Sequence, residues 1–142
     1  MRNYRLDTNY AIGLTSTTLF PLRSFRLPVP RVVYRPFQTM YPRGDITRAG
    51  DGPISVEWVW DVAHVERIAS LIRFLFGDED TQYADCYVRT DKRVGYYSRP
   101  SQAFTTFSGI AWRPLLDGTD GAYENPYQLS ATRLMFKNLT EV

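Results

Sequence analysis

The sequence predicts a mainly β protein of the α+β class, an antiparallel β-sandwich or barrel with one flanking α-helix and an extended N-terminal arm. Several segments alternate apolar and polar residues with the period of a strand, whereas only residues 61–76 have the period of a helix. Prolines interrupt the first 30 residues. A chain of 142 residues is long enough for one domain. We therefore divide it into an arm, residues 1–49, and a body, residues 50–142.

The arm is predicted to be extended and irregular. Three prolines fall between residues 21 and 30, and proline neither donates a backbone hydrogen bond nor continues a helix. A short strand is expected at 31–38, interrupted by Pro36. Six apolar side chains lie between residues 19 and 29, too many for a segment left in water. The arm is therefore expected to lie on its own body or on that of a neighbour.

Charge is divided unevenly between the two parts. Residues 1–50 contain eight arginines and two acids, a balance of +6, whereas residues 51–142 contain nine basic and thirteen acidic residues, a balance of −4. Fifteen of the 17 basic residues are arginines, whose planar guanidinium groups hold carboxylates in a defined geometry. We expect the arm of one copy to meet the acidic body of another, which favours a role in assembly.

Alternation predicts the strands of the body. Ile54, Val56 and Trp58 alternate with more polar positions, so a strand is expected at 54–60. An aperiodic loop is expected at 113–125. The remaining expected strands are 83–90, 94–98, 104–112 and 127–136, with Asp91-Lys92-Arg93 as the tip of a hairpin.

The predicted helix begins after Asp61, an expected N-cap, and ends at Gly77. Phe74 falls on its polar face at helical spacing, so either the last turn is distorted or this side chain is presented to a partner. The expected apolar stripe consists of Val65, Ile68, Ala69, Ile72, Leu75 and Phe76.

Nothing in the sequence predicts an enzyme, a cofactor or a metal site. His64 is the only histidine and is expected at the boundary of the helix, whereas Cys86 is in phase with buried residues of a strand. The acidic run Asp78-Glu79-Asp80 lacks the alternate spacing of a calcium loop and is expected to be a solvated turn. No run of about 18 apolar residues predicts a membrane helix, and the first residues lack the apolar core of a signal peptide.

A wider pattern follows the turn at residues 50–53. A strand with Trp58 and Trp60 leads into the helix, then into Cys86-Tyr87-Val88-Arg89-Thr90, and later segments read Ala111-Trp112-Arg113-Pro114 and Leu129 to Phe136. Over residues 50–138 this pattern resembles small structural proteins of the tails of double-stranded DNA bacteriophages. The resemblance implies a β-sandwich or barrel with one helix, whose subunits form rings joined by sheet edges, loops and long arms.

We therefore expect a structural subunit of a phage virion, made in the host cytoplasm and placed in the tail or tail tip. Its expected partners are copies of itself, in a ring or lattice, and neighbouring virion proteins. A capsid decoration protein is an alternative. A nucleic-acid-binding protein is a further one, disfavoured because the body is acidic. No membrane partner is expected. The expected interface residues are Arg23, Phe25, Arg26, Leu27, Arg31, Arg35, Phe74, Asp78, Glu79 and Asp80.

Overall fold

In a computed structural model of the chain, antiparallel strands form one sheet and a single α-helix packs against it. The structure describes residues 10–40, 46–77, 81–94 and 99–142, without the side chains of 36–40, 46–54, 92–94 and 99–102. The predicted mainly β fold with one helix is confirmed for these residues. The strands are β1 (Ala11–Thr15), β2 (Thr18–Pro21), β3 (Arg31–Met40), β4 (Ile46–His64), β5 (Tyr83–Val94), β6 (Arg99–Trp112), β7 (Ala122–Asn125) and β8 (Gln128–Glu141). A 3₁₀ helix spans Leu22–Phe25 and the α-helix, α1, spans Val65–Phe76.

The strand order in the sheet is β2-β1-β5-β6-β8-β4-β3, with β7 also paired to β8. Although β6 and β8 separate β5 from β4 in this order, the Trp58 indole N–H on β4 donates to Thr90 Oγ1 on β5 at 3.3 Å. The sheet is therefore curled, so that its two halves face one another. Among the described residues, β2 and β3 pair on one side only, which leaves the curled sheet open at both ends.

The core fills the concave side of this curl. Trp58 is fully buried, and its ring lies 5.0 Å from that of Phe136 and 6.0 Å from that of Tyr10 in edge-on arrangements. The helix closes the core with one face. The buried side chains of that face are Ile68, Leu71, Leu75 and Phe76, whereas Val65, Ala69 and Ile72 of the predicted stripe are half-buried.

The described part of the arm belongs to this same sheet and core. β1 pairs with β5, and β3 pairs with β4 along its length. Tyr10, Ile12 and Leu22 are buried together with residues of the body. Residues 10–40 thus lie on their own body, the first of the two expected alternatives, and regular strands replace the irregular conformation expected for 11–21.

A close backbone approach accounts for part of β1. A Cβ atom on Gly13 would lie 2.1 Å from the carbonyl oxygen of Thr18 on β2, so only glycine fits there. The expected strand at 31–38 is confirmed and continues to Met40. Its pairing with β4 is irregular on both sides of Pro36, as expected for a proline in an edge strand.

The expected helix start at residue 61 is wrong. β4 continues to pair with β8 as far as His64, opposite Gln128, so the backbone stays extended until Val65. His64 rather than Asp61 is the N-cap, while the predicted stop at Gly77 is confirmed by its positive φ of 73°. Asp91-Lys92-Arg93 was expected at a hairpin tip but lies within β5, which extends to Val94.

Candidate functional site

Two adjoining cavities lie along the seam between the 3₁₀ helix and α1. Their volumes are about 410 and 570 Å³, and Arg26 and Arg67 line both of them, so we treat the two cavities together as one groove. We call it the arginine groove, because Arg23 lines it as well. Its remaining walls are Ser24, Phe25, Leu27, Pro28, His64, Glu66 and Ser70.

The arginines of the arm face this groove because two leucines anchor the turn that carries them. The N–H of Leu22 donates to the carbonyl of Tyr10 at 2.9 Å, and the N–H of Leu27 donates to the carbonyl of Leu22 at 3.2 Å. Both leucine side chains are buried in the core. The intervening polar residues, Arg23 and Arg26, are consequently turned toward solvent.

Arg26 holds an unusual conformation at the centre of the groove. Its backbone is left-handed, with φ of 57° and ψ of 30°, a region that non-glycine residues seldom occupy. Its carbonyl oxygen accepts a hydrogen bond from Arg67 Nη1 at 3.1 Å. This bond orients the Arg67 guanidinium across the seam and ties the helix to the arm.

The groove is basic. Arg23, Arg26 and Arg67 contribute three positive charges, and Glu66 contributes one negative charge. Arg31 pairs with Asp61 at 3.5 Å, with both side chains largely exposed, and no described carboxylate forms such a pair with Arg23, Arg26 or Arg67. The groove arginines therefore have no described carboxylate partner within 4.0 Å.

The N-terminus of α1 forms one end of the groove. His64 Nδ1 accepts the backbone N–H of Glu66 at 3.2 Å, which satisfies one of the free donors of the first helical turn. This bond requires Nδ1 to be unprotonated. His64 thus has a structural role at the boundary of the helix, as its position in the sequence predicted.

Phe74 was expected either to lie in a distorted last turn or to be presented to a partner. The second expectation is wrong, because the side chain is not presented outward. Its ring lies 5.5 Å from that of Phe20 and 5.4 Å from that of Phe25, and the side chain is half-buried. The arm covers an apolar residue on the polar face of the helix. Leu27 is likewise a core residue, only 2% exposed, and is unavailable to a neighbour.

Of the remaining expected interface residues, the two that the structure describes lie apart from the groove. Arg31 and Arg35 belong to β3, at one end of the sheet, and both are exposed. Asp78, Glu79 and Asp80 lie outside the described residues.

Arg67 was not predicted from the sequence, because a single arginine on the polar face of a helix is an ordinary solvated residue. Its significance depends on Arg26, a contact 41 positions away in sequence.

A further cavity of about 350 Å³ lies on the convex side of the sheet, opposite the core. Glu57 sits there between Arg35 and Lys137 and is only 9% exposed. Lys137 Nζ also lies 4.9 Å from the centre of the Trp112 ring, a cation–π contact. Because this cavity carries both positive and negative side chains, it does not favour a ligand of one charge.

Cys86 shows no sign of reactivity. It is 2% exposed, as predicted, and burial raises the pKa of its thiol to about 12, with a smaller contribution from nearby Asp85. The thiolate required for nucleophilic attack is therefore disfavoured at neutral pH.

In the described ranges no three His, Cys, Asp or Glu side chains converge as metal ligands. None of the described helices has the length and apolarity needed to cross a membrane.

Comparisons with known proteins gave no relative. No protein-family model, curated protein or solved structure matched the chain.

Proposed function

We propose that this chain is a structural subunit of a tailed-bacteriophage virion, which assembles with copies of itself and with neighbouring virion proteins in the tail or tail tip. The observation that carries the proposal is that, over the described residues, the sheet is open and its end strands, β2 and β3, differ chemically. An unpaired edge strand is a template for another chain, and proteins that remain monomeric protect such edges. The resemblance of residues 50–138 to tail proteins supports the same function.

The two ends favour pairing of unlike edges. β3 carries Arg31 and Arg35 among its exposed residues, whereas β2 (Thr18–Pro21) carries no charge. A symmetric antiparallel pair of β3 strands centred on Val33 would place Arg31 opposite Arg35 twice, and like charges across strands are destabilising. Pairing β3 of one copy with β2 of the next avoids this repulsion.

Contacts between unlike edges repeat from copy to copy. Such a heterologous contact produces a closed ring when its rotation completes a circle and a filament when it does not. Main-chain hydrogen bonds would supply affinity, and the side chains along β2 and β3 would set the register. Rings of this kind are what the proposed virion role requires.

Charge variants of β2 test this assembly. Thr18 is exposed, so its replacement leaves the core intact. Thr18→Arg should weaken self-association, because it brings a positive charge to the arginines of β3, whereas Thr18→Glu should preserve or strengthen it. Sedimentation velocity of both variants at matched concentration reports the difference. Equal association of the two variants, or a wild-type chain that stays monomeric, would contradict the proposed contact.

Location in the virion requires a separate experiment. Antibodies against the chain, applied to particles of a phage that encodes it, should label the tail in electron micrographs. Label over the capsid surface would favour the decoration protein instead. Particles without any label would overturn the virion role.

A further inference from the structure

We infer that the arginine groove is a carboxylate-binding site for the acidic run Asp78-Glu79-Asp80 of a second copy of this chain. The inference rests on the proposed function, since it assigns one contact of the assembly to a particular cavity. It extends that function by adding Arg67 on α1 to the arginines of the arm.

Charge complementarity selects the occupant. Arg23, Arg26 and Arg67 provide three positive charges around the two adjoining cavities of the groove. The run Asp78-Glu79-Asp80 is the densest acidic segment of the sequence, with three negative charges at consecutive positions. Guanidinium forks bind carboxylates with two parallel hydrogen bonds, a geometry that lysine does not reproduce.

The position of the groove implies a contact between copies. The groove meets α1 at its N-terminal half, whereas the acidic run follows its C-terminal end, Gly77. The 12 residues of α1 span about 18 Å. Beyond the run, the carbonyl of Thr81 accepts a hydrogen bond from Arg113 Nη1 at 3.2 Å, which holds the chain at that same end. Gly77 and Thr81, the described residues on either side of the run, thus lie at the opposite end of the helix from the groove, as a head-to-tail contact requires.

The groove is better suited to a peptide than to nucleic acid. Phe25 could stack on a base only with its face free, but it packs against Phe74 at 5.4 Å. Glu66 at the wall of the groove would repel a phosphate backbone and a carboxylate alike, so it does not distinguish the two ligands. By contrast, Ser24 adds a hydroxyl that can bind a carboxylate.

Arg26 is arranged in advance for binding. A left-handed arginine is strained, and glycine or asparagine at this position would reduce that strain. The conformation directs the Arg26 carbonyl to Arg67, which fixes the Arg67 guanidinium beside a cavity that Arg26 also lines. Such ordering before binding lowers the entropy lost when the acidic run docks.

Cysteine cross-linking between full-length copies tests the inference. The native Cys86 is buried with a raised thiol pKa, so it should not interfere. Ser24→Cys protein mixed with Glu79→Cys protein should give a disulfide-linked dimer on mild oxidation. The matched control mixes Glu79→Cys with Thr119→Cys, because Thr119 is exposed in a loop away from the groove. We expect several-fold more dimer from the first mixture.

Charge reversal provides the second readout. Arg26→Glu should weaken self-association about tenfold, and Glu79→Arg in the same chain should restore it by exchanging the two charges. Arg89→Glu, an exposed arginine of β5, should have no such effect. Restoration by the second reversal cannot result from damage to the fold alone.

The outcomes separate this inference from the proposed function. Dimer yields equal to the control, or no rescue of Arg26→Glu, would overturn the groove as the site of the acidic run even if the wild-type chain forms rings. Salt-dependent DNA binding that is lost in Arg26→Glu, with control-level cross-linking, would assign the groove to nucleic acid instead. Enriched cross-linking without rings would support the groove while contradicting the ring assembly.

Discussion

The indole N–H of Trp60 donates to the carbonyl oxygen of Pro28 at 2.8 Å. This bond joins β4, a strand of the body, to the segment that the charge pattern separates as an arm. Trp60 is only 2% exposed, and its ring lies 6.3 Å from that of Trp58. Arm and body therefore share one core over the described residues, and the basic surface of the arm is held in a fixed place.

Replacing Trp60 with Phe should destabilise the whole chain. The substitution keeps most of the apolar area but leaves the Pro28 carbonyl without its donor, which costs about 1–3 kcal/mol. Urea unfolding followed by circular dichroism should show one transition at lower urea. Trp112→Phe, at a half-buried position outside the core, is the control. A first transition that involves only the arm would contradict the shared core.

Truncating Phe74 to alanine should lower stability without creating or removing a partner surface. Because Phe20 and Phe25 cover this ring, its loss should cost about 1–3 kcal/mol, less than for a fully buried phenylalanine. Thermal and urea unfolding measure the change, and sedimentation under native conditions measures association. Unchanged stability together with lost association would indicate an exposed contact residue instead.

His64 should be replaceable by another capping residue but not by alanine. His64→Ala removes the acceptor for the Glu66 N–H and should cost about 1 kcal/mol, whereas His64→Asn retains a cap. The comparison is made by urea unfolding at one fixed pH. Equal losses in the two variants would show that packing of the ring, rather than its hydrogen bond, stabilises α1.

Cys86 should make the fold less stable at high pH. The pKa of the Cys86 thiol is about 12 in the folded chain and near 9 in the unfolded chain. Between these two pH values only the unfolded state ionises. The stabilisation is complete below pH 9 and is lost as the pH rises toward 12. This group alone contributes a slope of about −1.4 kcal/mol per pH unit in that range. Urea unfolding between pH 8 and 10.5 should show a shallower decline for Cys86→Ala than for the wild type.

Reactivity toward thiol reagents is a simpler test of the burial and raised thiol pKa of Cys86. Cys86 should react with an aromatic disulfide reagent only after unfolding, since burial excludes the reagent and disfavours the thiolate. Rapid labelling of the native chain at pH 8 would contradict this account of the core.

Local patterns were sufficient for most of the longer strands and of the helix, but not for β1 and β2, where an irregular arm was expected, or for β7, which lies in the expected loop at 113–125. The alternation at 54–60 and the stop at Gly77 are direct consequences of side-chain period and glycine geometry. The helix start was misplaced because the pairing of His64 with Gln128, 64 positions away, prevails over the local capping preference of Asp61. A tertiary contact therefore sets the start of the helix, and no local sequence signal indicates that contact.

The candidate site was only partly predictable. Arg23 and Arg26 follow from the basic arm, but the groove exists because β1 pairs with β5 and carries the arm to α1. Phe74 illustrates the same limit. Its spacing showed that it breaks the polar face of the helix, whereas Phe20 and Phe25, which cover it, come from a segment some 50 residues away.

Electron microscopy of the purified full-length protein tests the central claim most directly. An open sheet with unlike ends, one carrying Arg31 and Arg35 and the other uncharged, should produce rings or short stacks of rings of uniform diameter. Thr18→Arg should reduce their number. Monodisperse single chains at concentrations of about 100 μM, well above those at which micromolar contacts form, would contradict the account.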